Sequence, residues 1–229
     1  MCQQFKAFLA ASIFCFVFMF SQCAAQVESD KGLPFVLDSA EGVFVFRVNE
    51  IMNHSQVKNV FDNDDKSIKQ FERRIKNVLL DLAWIEPDVI DSLVLAIGSY
   101  DVDGAIKPFS MVVVRTAEDN EAGFDKVLEL ARKSRNHNGQ EYHEFSDKKS
   151  NKMKFVFVPN KKTIVFSSDE GSITRAINSG KMGPSNSSWY GRWKKQSEKH
   201  FSMVLIGNSL KRLQRVIPRN NLFDQAKIA

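Results

Sequence analysis

The sequence predicts an α+β fold, with an antiparallel-rich sheet and helices packed mainly on one face in two layers. Three observations predict it. Short β-rich runs recur along the chain, among them GVFVFRVN at 42–49 and KPFSMVVVRT at 107–116. Several runs are joined by tight-turn signals, Asp103-Gly104 and the Pro159-Asn160 segment being the clearest. Between them lie amphipathic stretches whose apolar residues recur at three- and four-residue steps, which suits helices covering a sheet.

The first 25 residues read as an export signal. Lys6 opens a short positive start, AFLAASIFCFVFMF forms an apolar run too short for a membrane span, and Cys23 and Ala25 sit at the −3 and −1 positions of a cleavage site. The cut then falls before Gln26. The alternative is lipid attachment at Cys23, although Gln22 is larger than the residue such sites usually carry before the cysteine. Cys2, Cys15 and Cys23 are the only cysteines, so the chain from Gln26 onward has neither disulfides nor thiolate ligands to offer.

Residues 26–40 read as a polar lead-in segment, and 41–180 as the α+β domain. GVFVFRVN is a strand, and Asn49 is placed to cap the helix EIMNHSQVKNVF, which DNDD at 62–65 breaks. SIKQFERRIKNVLLDLAW at 67–84 is the best helix. Ile68, Phe71, Ile75, Val78, Leu79 and Leu82 form its apolar stripe, and Glu72 and Lys76 an i,i+4 pair opposite. IEPDVID is a connector or one-turn helix. SLVLAIGSY and KPFSMVVVRT are strands around DVDGA, whose Asp-Gly pair suits a turn requiring positive φ.

GFDKVLELARKS at 123–134 reads as a second amphipathic helix, and QEYHEF as a strand after the Asn138-Gly139 turn. KFVFVPNKKTIVFSS is a hairpin. Asp169 or Ser168 can cap the helix EGSITRAINS, which Gly180 would stop. Residues 181–198 read as a linker and a modest helix. From 199 a strand and a helix with Leu210, Leu213, Val216 and Ile217 repeat the opening order of strand, cap and helix. They begin a truncated second repeat, or else complete the first domain.

Charge is unevenly spread. Residues 26–147 carry 14 Lys and Arg against 23 Asp and Glu, and residues 148–229 carry 17 against 4. Such asymmetry marks a surface for an anionic partner, or interleaves in three dimensions and cancels. In an exported protein nucleic acid is not the expected partner; an envelope protein or anionic envelope polymer is.

The order FVFRVNEIMNHSQVKNVF, AWIEPDVIDSLVLAIG, FSMVVVRTAEDNEAGFDKVLELA, NGQEYHEF and MKFVFVPNKKTIVFSSDEGSITRAI resembles one repeat of an uncharacterised exported planctomycete protein family with tandem α+β domains. The resemblance covers roughly residues 41–178 and rests on apolar pattern and turn positions. It implies an architecture and a compartment, favours the truncated-second-copy reading of 199–229, and supplies no catalytic residues.

Local motifs point to no chemistry. His54, His137, His143 and His200 lack the spacing of a helical zinc pair, and no H-E-x-x-H, G-x-S-x-G or phosphate-cradling loop occurs. Asp101 and Asp103 lack the remaining ligands of a calcium loop. No catalytic, metal or cofactor-binding residue is therefore assigned, and no cofactor is expected. One binding patch is a candidate: Trp189, Tyr190 and Trp193 among Arg192, Lys194 and Lys195. The opposing reading docks both tryptophans on the body of the protein. The functional expectation is a non-catalytic exported module, periplasmic or secreted, that binds an envelope component or acts structurally. The alternative is an extracytoplasmic hydrolase without a local motif.

Overall fold

The computed structural model describes residues 33–61, 69, 70, 72, 73, 76, 77, 80, 85–145, 154–182, 189–194 and 201–205. The leader, the 67–84 apolar stripe, Lys195 and the helix expected after 208 lie outside the described residues.

Among the described residues eight strands form one sheet. They are β1 (Ala40–Phe46), β2 (Ile90–Val102), β3 (Ala105–Thr116), β4 (Ala131–His137), β5 (Gln140–Phe145), β6 (Phe155–Asn160), β7 (Thr163–Ser167) and β8 (Phe201–Leu205). Their order is β4-β5-β6-β7-β3-β2-β1-β8, and every neighbouring pair is antiparallel. The helices are α1 (Val48–Asn53), α2 (Ser55–Phe61), α3 (Glu121–Leu128), α4 (Glu170–Met182) and α5 (Tyr190–Lys194), with single 3-10 turns at Leu33–Phe35 and Pro87–Val89. Lys69, Gln70, Glu72, Arg73, Lys76, Asn77 and Leu80 are helical as well. The expected Glu72–Lys76 pair is present at 3.6 Å, and Lys76 also reaches Asp88 at 3.0 Å.

The fold class is α+β, as the turn and strand signals predict. Both glycine turns have the expected geometry: Asp103 and Gly104 at φ 53° and 82°, Asn138 and Gly139 at 52° and 78°. These angles favour the two-residue turn that matches strand twist. The layering has one feature beyond the sequence reading, since both sheet faces are buried. Side chains alternate across a strand, so Val43, Val94, Met111, Val113, Val165 and Phe157 point to one face, against Leu33, Phe35, Ile173, Ile177, Trp189 and Trp193. Leu93, Val112, Val114, Ile164 and Phe166 point to the other, against Val48, Ile85, Phe124 and Val127. The longest described helix, α4, lies on the first face; the short α1 and α3 cover part of the second.

Four local expectations are corrected. The lead-in segment is not merely polar, because Leu33, Phe35, Val36 and Leu37 are buried in the first-face core. The helix expected over 50–61 starts at Val48 and breaks at His54, whose ψ of 133° is extended; Asn49 is inside it, not its cap. The helix expected over 123–134 ends at Leu128, and residues 131–137 are β4. Pairing with β5 around the Asn138-Gly139 turn satisfies backbone groups that a polar, poorly amphipathic helix end would leave to water. Gly180 does not stop α4, which continues to Met182.

The boundary drawn at residue 180 also fails to separate two bodies. β8 pairs with β1 over Phe201↔Phe46 to Leu205↔Gly42, so the strand read as the start of a second repeat is the edge of this sheet. Val204 is buried in the same core as Val43. Of the two readings left open for 199–205, completion of the first domain is the one the pairing follows.

Candidate functional site

The aromatic-basic patch divides between core and surface. Trp189 and Trp193 are fully buried on the first sheet face, and the Trp189 indole N–H donates to the Leu37 carbonyl at 3.1 Å. Trp189 stands just before α5 and the Trp193 N–H donates to its carbonyl at 2.9 Å, so the pair is one helical turn apart, with Tyr190 half-buried and stacked on Trp193 at 5.9 Å. Arg192 and Lys194 are exposed, so the described cations of the patch face solvent without the two indoles. Both tryptophans are core residues, and the aromatic part of the predicted patch is corrected accordingly.

The densest polar constellation lies where α4 begins. Asp169 precedes the helix and its Oδ1 accepts the Ser172 backbone N–H at 3.0 Å, which fulfils the expected N-cap. Ser172 Oγ donates to Asp169 Oδ2 at 2.6 Å, and Tyr100 donates its hydroxyl to Asp169 Oδ1. Tyr100 can come this close because residue 171 is glycine; a Cβ there would lie 2.3 Å from the phenol oxygen. The Arg175 guanidinium then stacks over the Tyr100 ring at 4.5 Å.

One residue along, Glu170 Oε1 accepts from Arg135 Nη1 at 2.5 Å and from the Tyr142 hydroxyl at 2.6 Å. Arg135 Nη2 donates to Glu144 Oε2 at 2.6 Å. The sheet register brings these together, since Arg135 and Tyr142 are cross-strand partners. No local spacing in the sequence joins these residues; the link is register and helix placement.

The protonation states of this constellation are held away from neutrality. Burial, then the hydrogen bond to Asp169, push the Tyr100 phenol up to about 12. Burial, then the hydrogen bond to Glu170, push Tyr142 up as well. The Tyr142 hydroxyl and, after it, Arg135 hold the Glu170 carboxyl below the usual carboxylate range.

Two open hollows are bordered by described residues. One of about 280 Å³ is bordered by Val48, Met52, Lys58, Glu72, Lys76 and Asp88. Another of about 410 Å³ has an apolar floor of Phe124, Leu128 and Val158, with Glu121 and Lys161 bridged at 3.0 Å on its rim. Near the first, Arg47 is 5% exposed; its Nη1 lies 3.6 Å from Glu50 Oε2, while Nε and Nη1 make no hydrogen bond. Among the described residues no group of three or more His, Cys, Asp or Glu side chains is arranged to hold a metal ion.

The edge strand β4 is the most polar element of the sheet. Arg132, Lys133, Ser134 and Asn136 are exposed, and Arg135 and His137 are half-buried. Its turn is tied to α4 by the Asn138 amide, which donates to Asn178 Oδ1 at 2.8 Å.

No protein-family model matches the chain, and no curated protein matches it. Among solved structures, crystal forms of TP0453 are similar. Form IV aligns with a TM-score of 0.46 at 12% identity over 85% of this chain and 72% of that chain. Form III gives 0.45 at 11% over 85% and 70%, and form I 0.45 at 13% over 86% and 70%. Similarity of this degree assigns the chain neither a family nor an activity.

Proposed function

We propose that the protein is an exported, non-catalytic module that binds another component of the cell envelope. The observation that supports this reading is the constellation at the start of α4. General acid–base groups are useful when their pKa lies near the working pH. Here the environment works the other way: the tyrosines are pushed up, Tyr100 to about 12, and Glu170 is pushed down. Tyr100 and Tyr142 stay neutral donors and Glu170 a charged acceptor throughout the physiological range. Groups locked in one state serve as struts, fixing α4 to β2, β4 and β5. The export part of the reading comes from the leader, with Gln26 as the first residue of the mature chain.

The experiment has two arms. Exported protein is first analysed by intact mass, with a start at Gln26 expected; a lipid adduct on Cys23 would replace secretion with anchoring. Purified protein is then sedimented with isolated envelope fractions and assayed against ester, glycoside, phosphate and peptide substrates. Co-sedimentation without turnover is expected. Hydrolysis that disappears on substitution of Glu170 or Tyr142 would refute the non-catalytic reading.

A further inference from the structure

We infer that the outer edge of β4 is a docking edge for an extended, acidic segment of a partner protein, which pairs with Ala131–His137 as an additional strand. This deepens the binding-module reading and rests on it. β4 ends the sheet order, so one side of its backbone faces no other strand among the described residues. Which groups face outward follows from the turn. His137 and Gln140 close a two-residue hairpin, so they exchange both backbone hydrogen bonds, as do Arg135 and Tyr142 two residues along. Ser134 and Asn136, in the alternate positions, direct their N–H and C=O away from β5. The same alternation continues into β5, where the Phe145 N–H turns to β6 and donates to the Lys154 carbonyl at 2.8 Å.

The edge is held ready for a partner. Arg135 is bonded to Glu144 and Glu170, and the turn is tied to Asn178, so little of β4 remains to be ordered on docking. Charge then selects the partner. Arg132 and Lys133 are exposed and have no acidic partner among the described residues. Lys133 faces Glu144 across the pair, but that carboxylate is bonded to Arg135; Glu141 accepts the Ser134 hydroxyl. The basic edge would disfavour a second copy of this chain, because antiparallel self-pairing sets like charges against one another across the new ladder. An acidic strand meets them with opposite charge while taking up the backbone groups of Ser134 and Asn136. Leu130, 60% exposed just before the strand, offers an apolar contact at one end.

The test uses the full chain and a short fluorescent peptide of alternating Glu and Val, with a Lys–Val peptide as its charge-reversed control, read by anisotropy at low and high salt. The Glu–Val peptide should bind, and the Lys–Val peptide should not. Ser134→Pro removes one outward donor without touching the ladder to β5, and Lys133→Glu reverses one charge. Each should weaken binding by roughly fivefold or more, with the circular dichroism spectrum unchanged. Amide exchange at Ser134 and Asn136 should slow on peptide addition. Equal binding of both peptides, or full binding by both variants, would overturn the inference. So would self-association through β4 in place of peptide binding. Envelope co-sedimentation that persists while peptide binding fails would remove this edge as the contact and leave the binding-module reading standing.

Discussion

Trp189, just before α5, and Trp193, within it, lie four residues apart, yet their indole nitrogens differ. Trp189 Nε1 donates to Leu37, whereas Trp193 Nε1 is buried without a hydrogen bond. Trp193→Phe therefore gives up ring area alone, while Trp189→Phe also removes a buried hydrogen bond, leaving the Leu37 carbonyl only the Ala40 N–H at 2.9 Å. Trp189→Phe should cost about 0.5–1.5 kcal/mol more than Trp193→Phe in chemical denaturation; equal losses would show that the Leu37 bond contributes nothing. Gly171→Ala places a methyl 2.3 Å from the Tyr100 hydroxyl. It should destabilise by about 1–3 kcal/mol through displacement of the ring, and the loss should shrink in a Tyr100→Phe background. The pH dependence follows from the same contacts. Tyr100 is raised from 10.0 to about 12, so its stabilising share is complete below pH 10 and fades as pH rises toward 12. Glu170 is lowered from 4.5, so its share is present above that value and is lost as pH falls through its folded pKa. Stability profiles should decline at both ends, and Tyr100→Phe should flatten the alkaline limb only. An unaltered alkaline limb in that variant would place the titration elsewhere.

At the scale of elements, β4 and α4 carry opposite lessons about legibility. α4 was readable because its cap and its apolar positions are local: Asp169 caps it, and Ile173, Ala176 and Ile177 recur at helical steps. β4 was not readable, because ARKSRNH has no apolar alternation to mark a strand. The one available signal was the Asn138-Gly139 turn, whose geometry demands an arm on each side. The β2–β3 pair was legible because apolar runs flank the Asp103-Gly104 turn on both sides. The Arg135–Glu170 contact was not, since it depends on where α4, packed on β6 and β7, begins relative to β4 and β5. Arg135→Ala should test the strut directly. It removes one cation from two carboxylates, so it should lower stability modestly and make the Glu170 share of the acid limb shallower, because Glu170 then loses part of what holds its pKa down. An acid limb left unchanged would show that the Tyr142 hydrogen bond suffices.

At the scale of the molecule, the sheet joins residues from both ends of the described chain, and the predicted boundary near 180 cuts through it. A truncation after residue 182 would strip Trp189, Trp193 and Val204 from the first-face core and expose β1 as an edge. Each large side chain lost costs about 3–5 kcal/mol when its cavity stays open, against a total stability of about 5–15 kcal/mol. The truncated chain should therefore lack a cooperative thermal transition. A sharp transition would restore the reading in which 199–229 begins a separate repeat.

The β1–β8 pairing has a consequence in time. During synthesis β1 leaves the ribosome among the first elements, but the strand that covers its outer edge follows only after every other described strand. Until then Gly42–Phe46 offers a bare flank, and a nascent chain halted short of residue 205 would hold a sheet with one vacancy. Closing that gap requires a meeting between segments far apart along the chain, the kind of contact that slows folding most. The sheet can thus be sealed only after Phe201–Leu205 has arrived, which keeps the growing polypeptide from locking early.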